Sequence, residues 1–166
     1  MSVDPAPAGA ELTKGTEIRR DDLTGAAIRE LLAEHLADMH RITPSGSVRA
    51  LDLDALRAPQ VTLWTLWRGN ELFGCGALKE LDAAHAEIKS MRTAVARRGE
   101  GVGRAMLAHL VAEARCRGYT RLSLETGASA AFEPARRLYE AHGFTRCGPF
   151  ADYPDDPHSV FLTRLL

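Results

Sequence analysis

The sequence predicts an α/β domain in which a mixed sheet carries helices on both faces. Three observations lead there. Segments with helical periodicity alternate with short segments rich in β-branched and aromatic residues, the pattern of helices packed on a sheet. A β-hairpin lies mid-chain, with "VTLWTLW" and "ELFGCGALKEL" on either side of Arg68, Gly69 and Asn70, so part of the sheet is antiparallel. Finally, "AEIKSMRTAV" leads through the bare turn "RRGEGVG" into an amphipathic segment, the strand, loop and helix order of an anion-binding turn.

Each element has its own justification. Residues 1–15, "MSVDPAPAGAELTKG", are rich in Pro, Ala and Gly and lack a basic start followed by an apolar stretch. They are expected to form a flexible tail, leaving 16–166 as a single domain. Thr16 to Arg20 fits a short first strand, and "DDLTGAAIRELLAEHLADMH" sets Ile28, Leu31, Leu32, His35, Leu36 and Met39 at helical spacing. "RITPSGS" breaks that helix, and "LDLDALRAP" fits a short second one ending before Pro59. In the hairpin, Gly74 and Gly76 predict a kinked second arm. From Val102 onward, Met106, Leu107, Leu110, Val111 and Ala114 form one apolar stripe that Gly118 terminates. "RLSLET" alternates as a strand, and "PARRLYEAH" is a helix with Pro134 in its first turn and Gly143 just past its end. "FTRCGPF" and "SVFLTRLL" close the chain as strands.

Composition narrows the function. The chain has 166 residues, formal net charge −1, and 45% hydrophobic and 26% charged residues, with no apolar run long enough to cross a bilayer. A cytoplasmic location and no membrane partner are expected. Arginines interleave with Asp and Glu, so no basic face points to nucleic acid. Cys75, Cys116 and Cys147 are odd in number and lack Cys-x-x-Cys spacing, which argues for reduced thiols. His35 and His40 stand five apart with no Glu to complete a metalloprotease motif, so no metal is expected.

The glycine turn carries the chemistry. Glycines allow close backbone approach, and a helix N-terminus behind them presents N–H groups to an anion; an exposed surface turn is the plain alternative. A dinucleotide loop would need Gly-x-Gly-x-x-Gly and an ATP loop Gly-Lys-Ser/Thr, and neither is present. What fits is Arg/Gln-x-x-Gly-x-Gly/Ala, as Arg98-Gly99-Glu100-Gly101-Val102-Gly103. With the flanking "IKSMRTAV", "RAMLAHLVAEARCRG", "RLSLET" and "RRLYEAHGF", the chain resembles the GNAT superfamily of N-acetyltransferases. Its ending, "CGPFADYPDDPHSVFL", resembles the bacterial YsnE-like subgroup.

That resemblance implies the GNAT acyl-CoA N-acyltransferase fold, with a mostly antiparallel central sheet, and acetyl-CoA as co-substrate. Arg98, Gly99, Glu100, Gly101, Val102, Gly103 and Arg104 would wrap its pyrophosphate, with the helix from about Arg104 adding its positive end. Met91, Arg92 and Thr93 would bond the pantetheine arm, and a backbone N–H there would polarise the thioester carbonyl. Tyr139, which from the residues alone is equally a core tyrosine beside Leu138 and Phe144, takes the place of the group that protonates the departing thiolate. Glu125 takes that of the base, with Glu87 second; each also fits a solvated or ion-paired carboxylate. Arg92 is either a substrate clamp or a partner for such a carboxylate. Phe132 stands where the family often has Asn, so a side-chain contact to the pantetheine arm is not expected there. The acceptor pocket is expected from "MHRITPSGSVRALD" and "DYPDDPHS", where Asp152, Tyr153, Asp155, Asp156 and His158 would bias its mouth toward a cationic amine. The reading that follows is acetyl transfer to a primary amine of a small molecule, by direct attack in a ternary complex, in a monomer or homodimer. A non-catalytic acyl-CoA-binding module, or an enzyme acting on protein lysines or N-termini, is the alternative.

Overall fold

Seven strands form one sheet in the order β1-β2-β3-β4-β5-β7-β6. The computed structural model describes residues 14–166, so all but the end of the expected tail lies outside the described residues. The strands are β1 (Thr16–Asp21), β2 (Val61–Arg68), β3 (Glu71–Glu80), β4 (His85–Thr93), β5 (Arg121–Gly127), β6 (Thr145–Cys147) and β7 (Ser159–Leu165). The helices are α1 (Ala26–Ile42), α2 (Leu53–Leu56), α3 (Val102–Cys116) and α4 (Glu133–Ala141). Among the described residues, no helix is long and apolar enough to cross a membrane.

Several boundaries move from their expected places for local reasons. The first helix starts at Ala26 because the Asp21 and Asp22 carboxylates accept the N–H groups of Leu23 and Thr24, at 2.7 and 3.0 Å, and hold a turn with Leu23 at φ +66°. The second helix is a single turn, capped where Asp52 accepts the Ala55 N–H at 2.8 Å. β6 stops at Cys147, before Gly148 and Pro149, so "FTRCGPF" contributes only three strand residues. Gly118 and Gly143 follow their helices at φ +84° and +82°.

The helices do cover both faces. α1 and α2 pack on one side through Ile28, Leu31 and Leu56 against Leu63 and Ala77. α3 and α4 pack on the other, with Met106, Leu107, Leu110 and Tyr139 in one cluster with Phe73, Ile88 and Leu122. Gly74 and Gly76 are bare because α3 lies directly on β3. A Cβ on Gly74 would come within 2.7 Å of Arg92 O and Val102 Cγ1, and one on Gly76 within 2.8 Å of Met106 Cγ and Met91 Sδ.

The kink expected at these glycines appears as two bulges, the first in β3 itself, where Leu66 pairs with Gly74 and Trp67 with Leu72 so that Phe73 is an extra residue. Cys75 pairs with Arg92 and Ala77 with Lys89, so β4 carries one extra residue, a bulge at which Ser90 adopts φ +53°. Every pairing is antiparallel except that of β4 with β5, which joins only His85, Glu87 and the residue between them to Arg121–Ser123. Beyond Glu87 the two strands part.

Candidate active site

The gap between β4 and β5 opens into a cleft of about 940 Å³. One wall is β4 from Ile88 to Thr93, and another the end of β5 from Glu125 to Gly127; the glycine turn, α4, the C-terminal half of α1 and the α1–α2 loop from Ser47 to Ala50, within the segment expected at the acceptor pocket, complete it. Thus Met91, Arg92, Thr93, Arg98, Gly99, Gly101, Val102, Gly103, Arg104, Glu125 and Tyr139 all line one cavity. Glu100 does not share that placement: its carboxylate lies 3.7 Å from Arg97 Nη1.

The turn is built for an anion. Gly99 and Gly101 hold φ +79° and +85°, where L side chains are strained, and Gly101 is the N-cap of α3. The helix therefore begins at Val102, two residues before its expected start. No side chain caps it, and its first intrahelical bond in this turn is from Ala105 N to Gly101 O at 3.0 Å, leaving the N–H groups of Val102, Gly103 and Arg104 as the free helix end. Gly103 differs from its neighbours: its φ is not positive, and a Cβ there would meet Leu138 Cδ2 of α4 at 3.2 Å. Its bareness serves helix packing. Arg97 is bound to Glu71 at 2.6 Å, whereas the guanidinium groups of Arg98 and Arg104, on the cleft, have no ion-pair or hydrogen-bond partner among the described residues.

Tyr139 is 6% exposed, with its ring edge-to-face against Phe144 at 5.8 Å, so it is a packing residue as well as a cleft residue. Its hydroxyl has no hydrogen-bond partner among the described residues, and burial raises the phenol well above its usual pKa. Glu125 is half-buried on β5. Burial raises its pKa, with a nearby Ser159 hydroxyl and then Lys89 and Arg49 working the other way. Glu87 is engaged elsewhere: it accepts from Tyr153 Oη at 2.5 Å and from Lys89 Nζ at 3.3 Å, and Lys89 also donates to Tyr153 at 2.6 Å. Arg92 Nη1 lies 2.7 Å from Asp38 Oδ2 of α1.

The late loop overturns the expected acidic mouth. Tyr153 turns inward onto Phe150 and Phe161 to reach Glu87, and Asp156 is ion-paired with Arg49 at 3.2 Å. A Ser47 hydroxyl, then the His158 N–H, hold Asp156 below the usual carboxylate range. No aspartate of this loop lines the cleft, and Asp156 is neutralised by Arg49, which does. Phe132 does reach the cleft, its ring lying over Gly127, where any Cβ would collide with it. The residues sequence reasoning missed are Ser90, Lys89 and Gly127, while Arg49 lies in the segment it expected at the acceptor pocket. Lys89 had a visible signal, since Glu87 and Lys89 alternate with apolar residues along a buried strand.

Residues 26–144 match the Acetyltransferase (GNAT) family. The chain belongs to the GNAT family. Its activity is accordingly GNAT-type, acetyl-CoA-dependent acyl transfer. The chain is 55% identical to the N-acetyltransferase YsnE of Bacillus subtilis, whose activity is uncharacterised, over 90% of this chain and 99% of that one. Among solved structures, an acyl-CoA N-acyltransferase family protein of Klebsiella pneumoniae superposes with TM-score 0.77 at 30% identity, covering 91% of this chain and 97% of that one. A GNAT acetyltransferase of Elizabethkingia anophelis, solved with acetyl-CoA bound, shares the fold with TM-score 0.66 at 20% identity, covering 93% and 100%. Among the described residues, no group of three or more His, Cys, Asp or Glu side chains is gathered as a metal site would need.

Proposed function

We propose that this GNAT protein transfers an acetyl group to the primary amine of a small molecule by direct attack in a ternary complex. One observation carries the reading: the parting of β4 from β5 sets the glycine turn, Glu125 and the Tyr139 hydroxyl around a single cleft. The free N–H groups of Val102, Gly103 and Arg104, with the unpaired Arg98 and Arg104, suit the pyrophosphate of acetyl-CoA. The cleft's volume of about 940 Å³ leaves room beside that co-substrate for an acceptor. Beyond Glu87, β4 has open backbone groups on the cleft side to bond an extended pantetheine arm.

Glu125 takes a proton from the ammonium form of the acceptor, directly or through water, and the freed nitrogen attacks the thioester carbonyl. A C–N bond forms, the C–S bond breaks, and the second proton leaving the nitrogen passes through water to the departing thiolate, giving the N-acetyl amine and the CoA thiol. Tyr139 donates a hydrogen bond to the departing sulfur. Glu125 is the better base than Glu87, which Lys89 and Tyr153 already occupy. Cys75 is unsuited to a covalent intermediate: burial pushes its thiol up to about 12, and its Sγ–H is donated to Ser90 O at 3.2 Å. A small acceptor is favoured because the Arg49–Asp156 pair ties the α1–α2 loop to the loop before β7.

Initial rates of CoA release from acetyl-CoA with a panel of small amines, and with lysine and N-terminal peptides, test this. Faster turnover of small amines is expected. Tight acetyl-CoA binding without turnover of anything would make the protein a binding module, and preferred peptide turnover would make its acceptor a protein.

A further inference from the structure

Six buried side-chain polar atoms lack a hydrogen-bond partner among the described residues, and four of them belong to residues lining the cleft: His35 Nδ1, Arg49 Nε, Ser90 Oγ and Arg92 Nε. Buried polar groups are almost always paired, so a local excess of unpaired ones marks where a ligand completes them. Two of these four, the arginine Nε–H groups, can only donate, whereas the serine hydroxyl and the imidazole nitrogen can each donate or accept. His35 is neutral at pH 7, because burial, then the Arg92 charge, hold its pKa down to about 4.

Arg92 is the member of this set with a binding edge left over. Its side chain, 7% exposed, uses Nη1 on Asp38, whose other contact is the exposed Arg41. The Nε edge of Arg92 is the face a second carboxylate would grip in fork geometry. Lys89 pairs with Glu87 and Arg49 with Asp156, and Glu125 faces Lys89 and Arg49 from β5, so this end of the cleft is charge-balanced and it is the unpaired donors that call for an acceptor.

We infer that the acceptor amine also carries a carboxylate, held by Arg92 with Ser90, His35 and Arg49, so that the substrate class is amino acids and similar zwitterions. This rests on the acetyltransferase reading above, and it sharpens it. A simple amine would leave the two arginine Nε–H donors unpaired, and a polyamine would bring a second ammonium toward Arg92.

The test compares L-leucine, L-methionine, L-phenylalanine and L-glutamate with their carboxamides and with the amines lacking the carboxylate, by CoA release from acetyl-CoA. At least one acid is expected to exceed its matched partners in kcat/KM by roughly 100-fold or more, since a site built to hydrogen-bond a group rejects the analogue lacking it by up to about 10⁴–10⁵-fold. Arg92→Gln should erase most of that preference, chiefly through KM, and Ser90→Ala and Arg49→Gln should each reduce it. Calorimetric titration of the CoA complex with the N-acetyl acids and their N-acetyl carboxamides reads the same preference without turnover. Acids that bind, and lose binding in Arg92→Gln, while no amine is turned over, would sink the acetyltransferase reading and keep the carboxylate site. Equal behaviour of acids and carboxamides in rate and titration overturns the inference, as does no binding of any acid or a preference intact in folded Arg92→Gln. Should Arg92→Gln not fold, an unchanged preference in both Ser90→Ala and Arg49→Gln overturns it equally.

Discussion

Tyr139 is held by its ring and used by its hydroxyl. With its phenol raised by burial, it gives a hydrogen bond far more readily than a proton. Tyr139→Phe is expected to lower kcat on the order of 10²-fold, with acetyl-CoA affinity nearly unchanged, since charge reaches the sulfur only as the thioester breaks. Steady-state kinetics beside a calorimetric titration check this; equal kcat across the pH range would remove Tyr139 from the mechanism. At Glu125 burial disfavours the ionised form, so its carboxylate costs stability once pH rises through the raised pKa. Glu125→Gln should therefore melt higher than the parent at pH 7, the difference vanishing near pH 4, while its rate loss is greatest at low pH, where free amine is scarce. Superimposable pH–rate profiles after scaling would make Glu125 structural. His35 has the opposite sign. Its pKa falls from 6.5 to about 4, so the fold keeps the full benefit of neutral His35 above pH 6.5 and loses it as pH falls toward 4. The loss is at most about 3 kcal/mol, and His35→Gln should flatten the decline in melting temperature over that range.

Two elements, the glycine turn and the end of β5, depend on backbone shape. Gly101 at φ +85° cannot take a branched Cβ without strain. Gly101→Val should bind both CoA and acetyl-CoA far more weakly, whereas a truncated thioester lacking nucleotide and pyrophosphate should be much less affected. Gly103 lies in the helix, so Gly103→Ala should act through Leu138 and shift the thermal melt more than phosphate recognition. Glu100→Ala, which removes a negative charge from the turn, should leave CoA affinity intact or slightly raise it. A folded Gly101→Val protein with parental CoA affinity would reduce the turn to a surface feature. On β5, Gly127 leaves room for the Phe132 ring. Gly127→Ala should destabilise the fold, and Phe132→Ala should relieve most of that cost, a coupling that a double-mutant cycle of melts measures.

For the molecule as a whole, the sheet is two antiparallel sections joined by a short parallel contact at His85–Glu87 and Arg121–Ser123. Past that contact, no strand among the described residues closes the gap between β4 and β5. A co-substrate lying there would touch both sections and bind only the folded chain. At 100 times its Kd, acetyl-CoA should therefore add about 2.7 kcal/mol of stability, or roughly 5–10 °C in Tm for a chain of this size. A thermal shift series in acetyl-CoA and free CoA reads this directly, and absence of any shift at saturating concentration would mean that the cleft does not hold the nucleotide.

The sequence by itself determined the helices and strands, since periodicity, glycine stops and the hairpin turn are local properties. It also determined the glycine turn, because a positive φ and a close approach leave glycine as their written mark. The starts of α1 and α3 shifted by a few residues, because caps are set by single side chains and backbone angles. What only the tertiary structure decided was which polar groups are paired. In the chain, Asp156 is an acid in a loop and Arg92 a cation on a strand. In the fold, Asp156 is neutralised by Arg49, 107 residues away, and Arg92 shares Asp38 with Arg41. Through those pairings the expected acidic mouth gives way to a charge-balanced wall with unpaired donors. Ionic partners across the fold carry no periodicity and no turn signal, so the acceptor end of the site becomes legible only when the loops meet.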